Sequence, residues 1–229
     1  MKLNKTSLAI AAMFIALAFA GCSKDDKATS PQMSNAHVLV VHASPDAPGV
    51  DLLVDNVKVN SQPLTFPNNT GYLDVTAGNR NIKVNASGTS TSVINANLDL
   101  SAEISYSIFA IDTLASIAPL VIQDNLGAPA SGKSHVRFIH LSPNAPAVDI
   151  TLTDGTVVFG NKAFGQYTPF TPLNAGTYNL QVRLAGTSTV VLNLPNIVLE
   201  NGKIYTVFAK GLVGRSGDQA LGAQIVVNN

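Results

Sequence analysis

The sequence predicts an all-β protein made of two tandem immunoglobulin-like antiparallel β-sandwich domains. Three observations predict it. The stretch His42-Ala43-Ser44-Pro45-Asp46-Ala47-Pro48-Gly49-Val50-Asp51 returns as His140-Leu141-Ser142-Pro143-Asn144-Ala145-Pro146-Ala147-Val148-Asp149, 98 positions later (140 − 42). A repeat that long is a duplicated domain rather than a solenoid unit of a few dozen residues. Within each copy the apolar residues recur at a spacing of two, and clusters of Gly, Asn, Asp and Pro separate the runs. That is the pattern of short strands joined by turns, and no stretch after residue 36 has the period of an amphipathic helix.

The chain begins with Lys2 and Lys5 followed by an apolar run over residues 8–20 that ends in small residues. The run is short for a membrane span, and its charged start marks residues 1–21 as a secretory signal. Phe19-Ala20-Gly21-Cys22 resembles a bacterial lipobox, which implies that Cys22 is lipidated and becomes the first residue of the mature chain. Phe19 departs from the usual Leu. Cys22 is also the only cysteine, so its lipidation leaves no thiol for a disulfide, a zinc site or a nucleophile. Residues 22–36 are polar and read as a flexible tether. Their start, Cys22-Ser23-Lys24-Asp25-Asp26, resembles the acidic surface-export signal of lipoproteins in the Bacteroidetes, which implies an outer-membrane anchor facing the cell exterior.

Residues 37–125 form the first expected domain, 126–134 a Gly- and Pro-containing linker, and 135–229 the second. His37-Val38 corresponds to His135-Val136, and Gly88-Thr89-Ser90-Thr91 to Gly186-Thr187-Ser188-Thr189. At Tyr106 and Phe109, matching Tyr205 and Phe208, the displacement has become 99. In the first strand Val38, Val40 and His42 share one face; in its counterpart Val136, Phe138 and His140 do, while Arg137 points the other way. The face opposite Arg137 is the expected core. The second strand alternates Val50, Leu52 and Val54 with Asp51, Leu53 and Asp55. Further strands are expected at 72–75, 80–86, 93–98, 104–111 and 120–123, and in the second copy at 148–152, 178–184, 190–194, 204–209 and 225–227. Each copy then makes a small Greek-key sandwich of seven or eight strands.

The repeated decapeptide has a structural reading first. Ser44-Pro45 and Ser142-Pro143 fix an extended residue and then a set φ, and Asp46 or Asn144 suits a side-chain-capped turn. His42 and His140, in phase with the core, are placed to bond the loop backbone, and Asp51 and Asp149 open the next strand. The motif resembles the family called domain of unknown function 4397, whose members are secreted or cell-surface bacterial proteins, often in tandem. The resemblance covers nearly all of the mature chain. It implies an extracellular β-sandwich and no particular activity. Copy two departs from the pattern at Leu141 and Asn144.

A divalent metal on His42, Asp46 and Asp51 is the alternative, as is hydrolysis by Ser44 with His42. Copy two lacks the acid at Asn144, and no nucleophile elbow or oxyanion hole is recognisable. No phosphate-cradling loop or dinucleotide fingerprint is present, and no cofactor is implied. The formal net charge is zero with 12% charged residues, so no basic field exists to attract nucleic acid. The expected role is non-enzymatic: binding, adhesion or envelope architecture, with a glycan or a surface protein as partner. There is no Trp to stack on a sugar. Tyr72 and Tyr167 flank turn-rich segments, and the 211–219 loop, longer than its counterpart 112–117, offers Arg215 and Asp218 as candidate ligand contacts. Asp112-Thr113-Leu114 resembles the site at which Bacteroidetes attach O-glycans, making Thr113 a candidate for modification.

Overall fold

The computed structural model describes residues 34–229. The 1–21 signal, Cys22 and the tether up to residue 33 lie outside the described residues. The first copy contributes β1 (Asn35–His42), β2 (Val50–Val54), β3 (Val57–Lys58), β4 (Asn69–Thr76), β5 (Gly78–Ala86), β6 (Ser92–Leu100), β7 (Ser105–Ile111) and β8 (Ala118–Asp124). The second contributes β9 (Lys133–His140), β10 (Val148–Leu152), β11 (Val157–Lys162), β12 (Thr171–Asn174), β13 (Gly176–Leu184), β14 (Val190–Leu199), β15 (Ile204–Lys210) and β16 (Gly222–Val227).

They form four sheets of four strands, ordered β4-β1-β7-β8 and β3-β2-β5-β6 in the first copy, β12-β9-β15-β16 and β11-β10-β13-β14 in the second. The fold is therefore two β-sandwiches. Each departs from a purely antiparallel arrangement in one place, because β1 runs parallel to β7 and β9 parallel to β15. Three strands carry too weak an alternation to be read from sequence: β3, β11 and β12. Pro172 within β12 has no N–H to give a ladder, which an edge position tolerates, and β12 is an edge.

Alternation builds the two inner cores. Val38, Val40, Val50, Leu52, Val84 and Ile108 close the first; Val136, Phe138, Ile150, Phe159, Val182 and Val207 close the second. The opposite face of β1 and β9 is buried as well. Leu39, Val41, Phe109 and Ile122 of the first sandwich pack on Ile139, Leu141, Phe208 and Val226 of the second, forming a third core between the β4-β1-β7-β8 and β12-β9-β15-β16 sheets. The equivalent rings Phe109 and Phe208 meet edge to face at 6.2 Å.

Arg137 lies in this shared layer and is 2% exposed. The sequence expectation that its face lies away from the core is thereby corrected: that face is a core too, supplied by the other sandwich. Nη1 donates to Asp124 Oδ1 at 2.5 Å, Nη2 to Ser107 Oγ at 2.7 Å and Nε to Thr206 Oγ1 at 2.8 Å. The guanidinium also sits 4.5 Å from the centre of the Phe170 ring, a cation–π contact in a dry setting. Asp124 Oδ2 accepts from Ser107 Oγ at 2.7 Å and from the Tyr72 hydroxyl at 2.5 Å. Asn228 completes the network, accepting from Thr206 Oγ1 at 2.7 Å and donating to Tyr72 Oη at 3.1 Å.

A buried pair whose remaining valences are all hydrogen-bonded is tolerated; one that loses a partner is not. Arg137→Ala, which leaves Asp124 buried without its cation, is expected to cost about 3–5 kcal/mol. In urea melts the wild type should unfold in one transition, because the third core couples the sandwiches. The double change Asp124→Leu with Arg137→Met should recover much of the single variant's loss. Two separate wild-type transitions would contradict the coupling.

Candidate functional site

The repeated decapeptide leaves β1 and β9 at the same end of each sandwich, and its side chains brace that end. His42 is 1% exposed and its Nε2 lies 2.9 Å from the Pro48 carbonyl; His140 is 0% exposed, with Nε2 3.0 Å from the Pro146 carbonyl. A carbonyl only accepts, so Nε2 carries the proton and Nδ1 is left as an acceptor. Burial pushes both imidazoles below the usual histidine value, outweighing the opposing effect of the carbonyl bonds. Burial thus favours the neutral imidazole at both positions.

The remaining motif residues reach across the chain. Asp46 Oδ1 accepts the Leu114 amide at 2.8 Å. At the equivalent place Asn144 both accepts from the Val213 amide at 2.9 Å and donates to the Val213 carbonyl at 3.1 Å. The expected local turn cap is thus replaced by a long-range staple to the loop before β8 or β16. Asp51 accepts the Gly88 amide at 3.0 Å and Asp149 the Gly186 amide at 2.8 Å. This accounts for the repeated Gly-Thr-Ser-Thr. Gly88 and Gly186 both have φ of +72°, a left-handed turn that a Cβ would strain, and their amides point at the carboxylates. Asp51 also meets the Lys58 ammonium at 2.8 Å; that bond, with the Gly88 amide, holds its carboxyl below the usual range. Asp149 uses its other oxygen on the Asn161 amide at 2.6 Å.

These commitments bear on the metal and hydrolytic alternatives. His42, Asp46 and Asp51 point to three different loops, and among the described residues no group of three or more His, Cys, Asp or Glu is placed to hold a metal ion. The Ser44 and Ser142 hydroxyls are buried and have no hydrogen-bond partner, so neither is joined to its histidine. A nucleophile needs access and a base within reach. Pro45 is buried and Pro143 half-buried at the turn.

The other candidates are scattered. Tyr72 is not available as a surface contact: its hydroxyl is committed to Asp124, and burial together with that carboxylate raises its pKa well above the phenol range. Tyr167 is 43% exposed and is bridged through its backbone to Ile139 at the edge of β9. Thr113 is half-buried before a single 3-10 turn, Leu114–Ser116. Arg215 and Asp218 are exposed on the connection between β15 and β16.

That connection borders a feature the sequence reading did not include, a pocket of about 370 Å³ at the loop end of the second sandwich. Its wall includes His140, Val182, Leu184, Val191, Val213 and Leu221, and neither Arg215 nor Asp218. His140 is its one polar side chain, and no charged residue lines it. Val191 and Val213 remain 38% and 47% exposed. The sequence signal was there in the extra loop length and in Val190-Val191 where the first copy has Ser92-Val93.

Two β-sandwiches, each braced at one end by the same loop motif, define a tandem β-sandwich protein whose loop ends are built rather than slack. The chain belongs to the family described as Domain of unknown function (DUF4397), which matches residues 36–151 and 150–229. No curated protein matches the chain. Among solved structures it is similar to the crystal structure of CBMbc (family CBM26) from Eubacterium rectale Amy13K in complex with maltoheptaose. The identity is 10%, over 83% of this chain and 96% of that chain, with a TM-score of 0.28. A likeness at that TM-score bears on neither ligand nor site.

Two outcomes test the bracing. Asn144→Ala, removing both bonds to Val213, should cost about 1 kcal/mol and speed amide exchange at Val213 while leaving the β9 amides protected. The histidines set a pH dependence. A group whose folded pKa is depressed gives stability that is full above its unfolded value, about 6.5 for histidine, and that is lost as pH falls toward the folded value. Denaturation midpoints should therefore decline below about pH 6.5. The decline should be shallower in a His42→Gln, His140→Gln double variant.

Proposed function

We propose that this chain is a lipid-anchored protein of the bacterial outer membrane, facing the exterior, that works as a non-enzymatic binding or adhesion module through the braced loop ends of its sandwiches. The observation that carries the reading is the use made of the repeated motif. Its histidine, Asp or Asn, and final Asp are each committed to a neighbouring backbone amide or carbonyl, in both copies. Polar groups so committed hold loops in place, and the histidine Nδ1 atoms left over are buried away from solvent. Loops fixed on a rigid scaffold are where recognition is grafted. The lipobox-like Cys22 and the polar residues after it support the anchor, since several acyl chains hold a protein at a membrane where one does so only marginally.

The anchor and the binding role are tested separately. Growth with labelled fatty acid should label the wild-type chain and not Cys22→Ser, and protease added to intact cells should digest the protein. An unlabelled wild type overturns the anchor. Incubating the full chain with envelope extract should retain a component that a loop-end variant, Asn144→Ala, retains less. Equal retention by both removes the loop ends from the binding role.

A further inference from the structure

The duplication supplies an internal control for the pocket. In the first sandwich Val93 and Ile117 pack against the inner core. Their counterparts in the second, Val191 and Leu221, do not join the inner core and instead stand in the pocket wall. The backbone around them is the same: β5 pairs β6 and β13 pairs β14 with the same register shift, after Val84 and after Val182. What differs is the following connection, residues 112–117 in one copy and 211–221 in the other, six positions against eleven. The longer loop is closed on itself by the Leu212 amide to the Gln219 carbonyl at 2.8 Å and the Leu221 amide to the Leu212 carbonyl at 3.1 Å. Gly211 makes that closure possible, since a Cβ there would lie 2.1 Å from the Ala220 carbonyl oxygen. Asn144 then ties Val213 down with two bonds. The loop is thus fixed in a position that keeps Leu221 off the core.

Two substitutions between copies add hydrocarbon near this end: Ala86 becomes Leu184 in the wall, and Ser92 beside Val93 becomes Val190, which is 38% exposed; Leu114 at the staple and its counterpart Val213 are both apolar. An opening left by a loop insertion alone would be expected to gain polar residues where it meets water; this one keeps a wall with one neutral polar side chain. Its volume lies at the lower end of the roughly 300–1,000 Å³ of small-molecule sites, which are mostly apolar concavities.

We infer that the second sandwich binds an uncharged, compact hydrocarbon group, aryl or aliphatic, in the pocket between β14 and the 211–221 loop, and that the first sandwich is its closed counterpart. The inference rests on the binding-module reading and names the ligand class and the copy that takes it. A sugar ring would set its hydroxyls against a wall that cannot bond them, and an ion would lose its hydration with no opposite charge in return. A hydrocarbon group of matching size loses neither and removes Val191 and Val213 from water.

The test uses 1-N-phenylnaphthylamine, an uncharged aryl probe that brightens in apolar surroundings, with the full chain carrying Cys22→Ser so that no acyl chain competes. Saturable brightening at one probe per chain is expected. Val191→Asp and Leu221→Asp, each placing a carboxylate in the wall, should weaken it about tenfold or more, whereas Val57→Asp on the exposed surface of the first sandwich should not. Val191 is already partly exposed, so that variant should keep the wild-type melting temperature even if Leu221→Asp does not fold. Absence of saturable binding overturns the inference. Binding that survives both wall changes overturns the site, and two probes per chain overturns the closed first copy. None of these results bears on retention of an envelope component, so the broader reading stands or falls on its own test.

Discussion

The contact between Arg137 and Asp124 sets the terms for the rest of the molecule. Position 137 corresponds to Leu39 in the first copy, and Asp124 to Asn228 in the second. The charged pair therefore exists once, with its cation from one sandwich and its anion from the other. Face-to-face pairing of two first sandwiches would bury Asp124 with no guanidinium, and pairing of two second sandwiches would bury Arg137 with no carboxylate. Either costs several kcal/mol. Two nearly equivalent faces are thus made to choose each other rather than themselves, by repulsion of the wrong match as much as attraction to the right one. The hydrocarbon around the pair, Leu39, Phe109, Ile139 and Phe208, supplies the attraction, which carries no such preference.

This layer explains what sequence could and could not convey. A period of two was enough to place Val38, Val40, Val136 and Phe138 in inner cores, and the repeat was enough to make two sandwiches of it. The second buried face was written in Val38-Leu39-Val40-Val41, a continuous apolar run of the kind a strand shows when both sides are covered. In β9 the same signal is broken by Arg137, and a lone arginine in a strand ordinarily marks the solvent side. Only its partner, thirteen positions earlier in the chain and on another sheet, reverses that reading. Tyr72 was misplaced for the same reason, since its hydroxyl belongs to a network whose other members lie in four different strands and, with Asn228, just past the end of a fifth.

The decapeptide was legible as architecture and illegible as to what it holds. Its prolines and histidines speak of a fixed loop, which they form. Nothing local indicates that Asp51 caps a turn 37 positions on, or that Asp46 reaches 68 positions to Leu114. A carboxylate or amide has the same propensity for a nearby backbone group as for a distant one, and the sheet order decides which is within reach. The recurrence of Gly-Thr-Ser-Thr at the same displacement was the one hint that the two motifs belong together.

The shared core and the braced loop ends occupy different parts of the sandwiches and meet at Ala43 and Leu141, the second residues of the two decapeptides. The shared core and the ion pair involve β1, β7, β8 and their equivalents on faces turned toward the other sandwich, while the braced loops lie where those strands end. A five-residue extension between β15 and β16 therefore leaves the register of β16 on β15 regular from Tyr205 to Lys210. The exchange of Asp46 for Asn144 fits the same division. A carboxylate only accepts and makes one bond to the short loop; an amide also donates, and holds the longer loop by both the N–H and the C=O of Val213. Leu221 can then stand in the pocket wall where its counterpart Ile117 packs on the first core, because the change alters which side chains face inward at the tip and leaves the pairing of β16 on β15 intact.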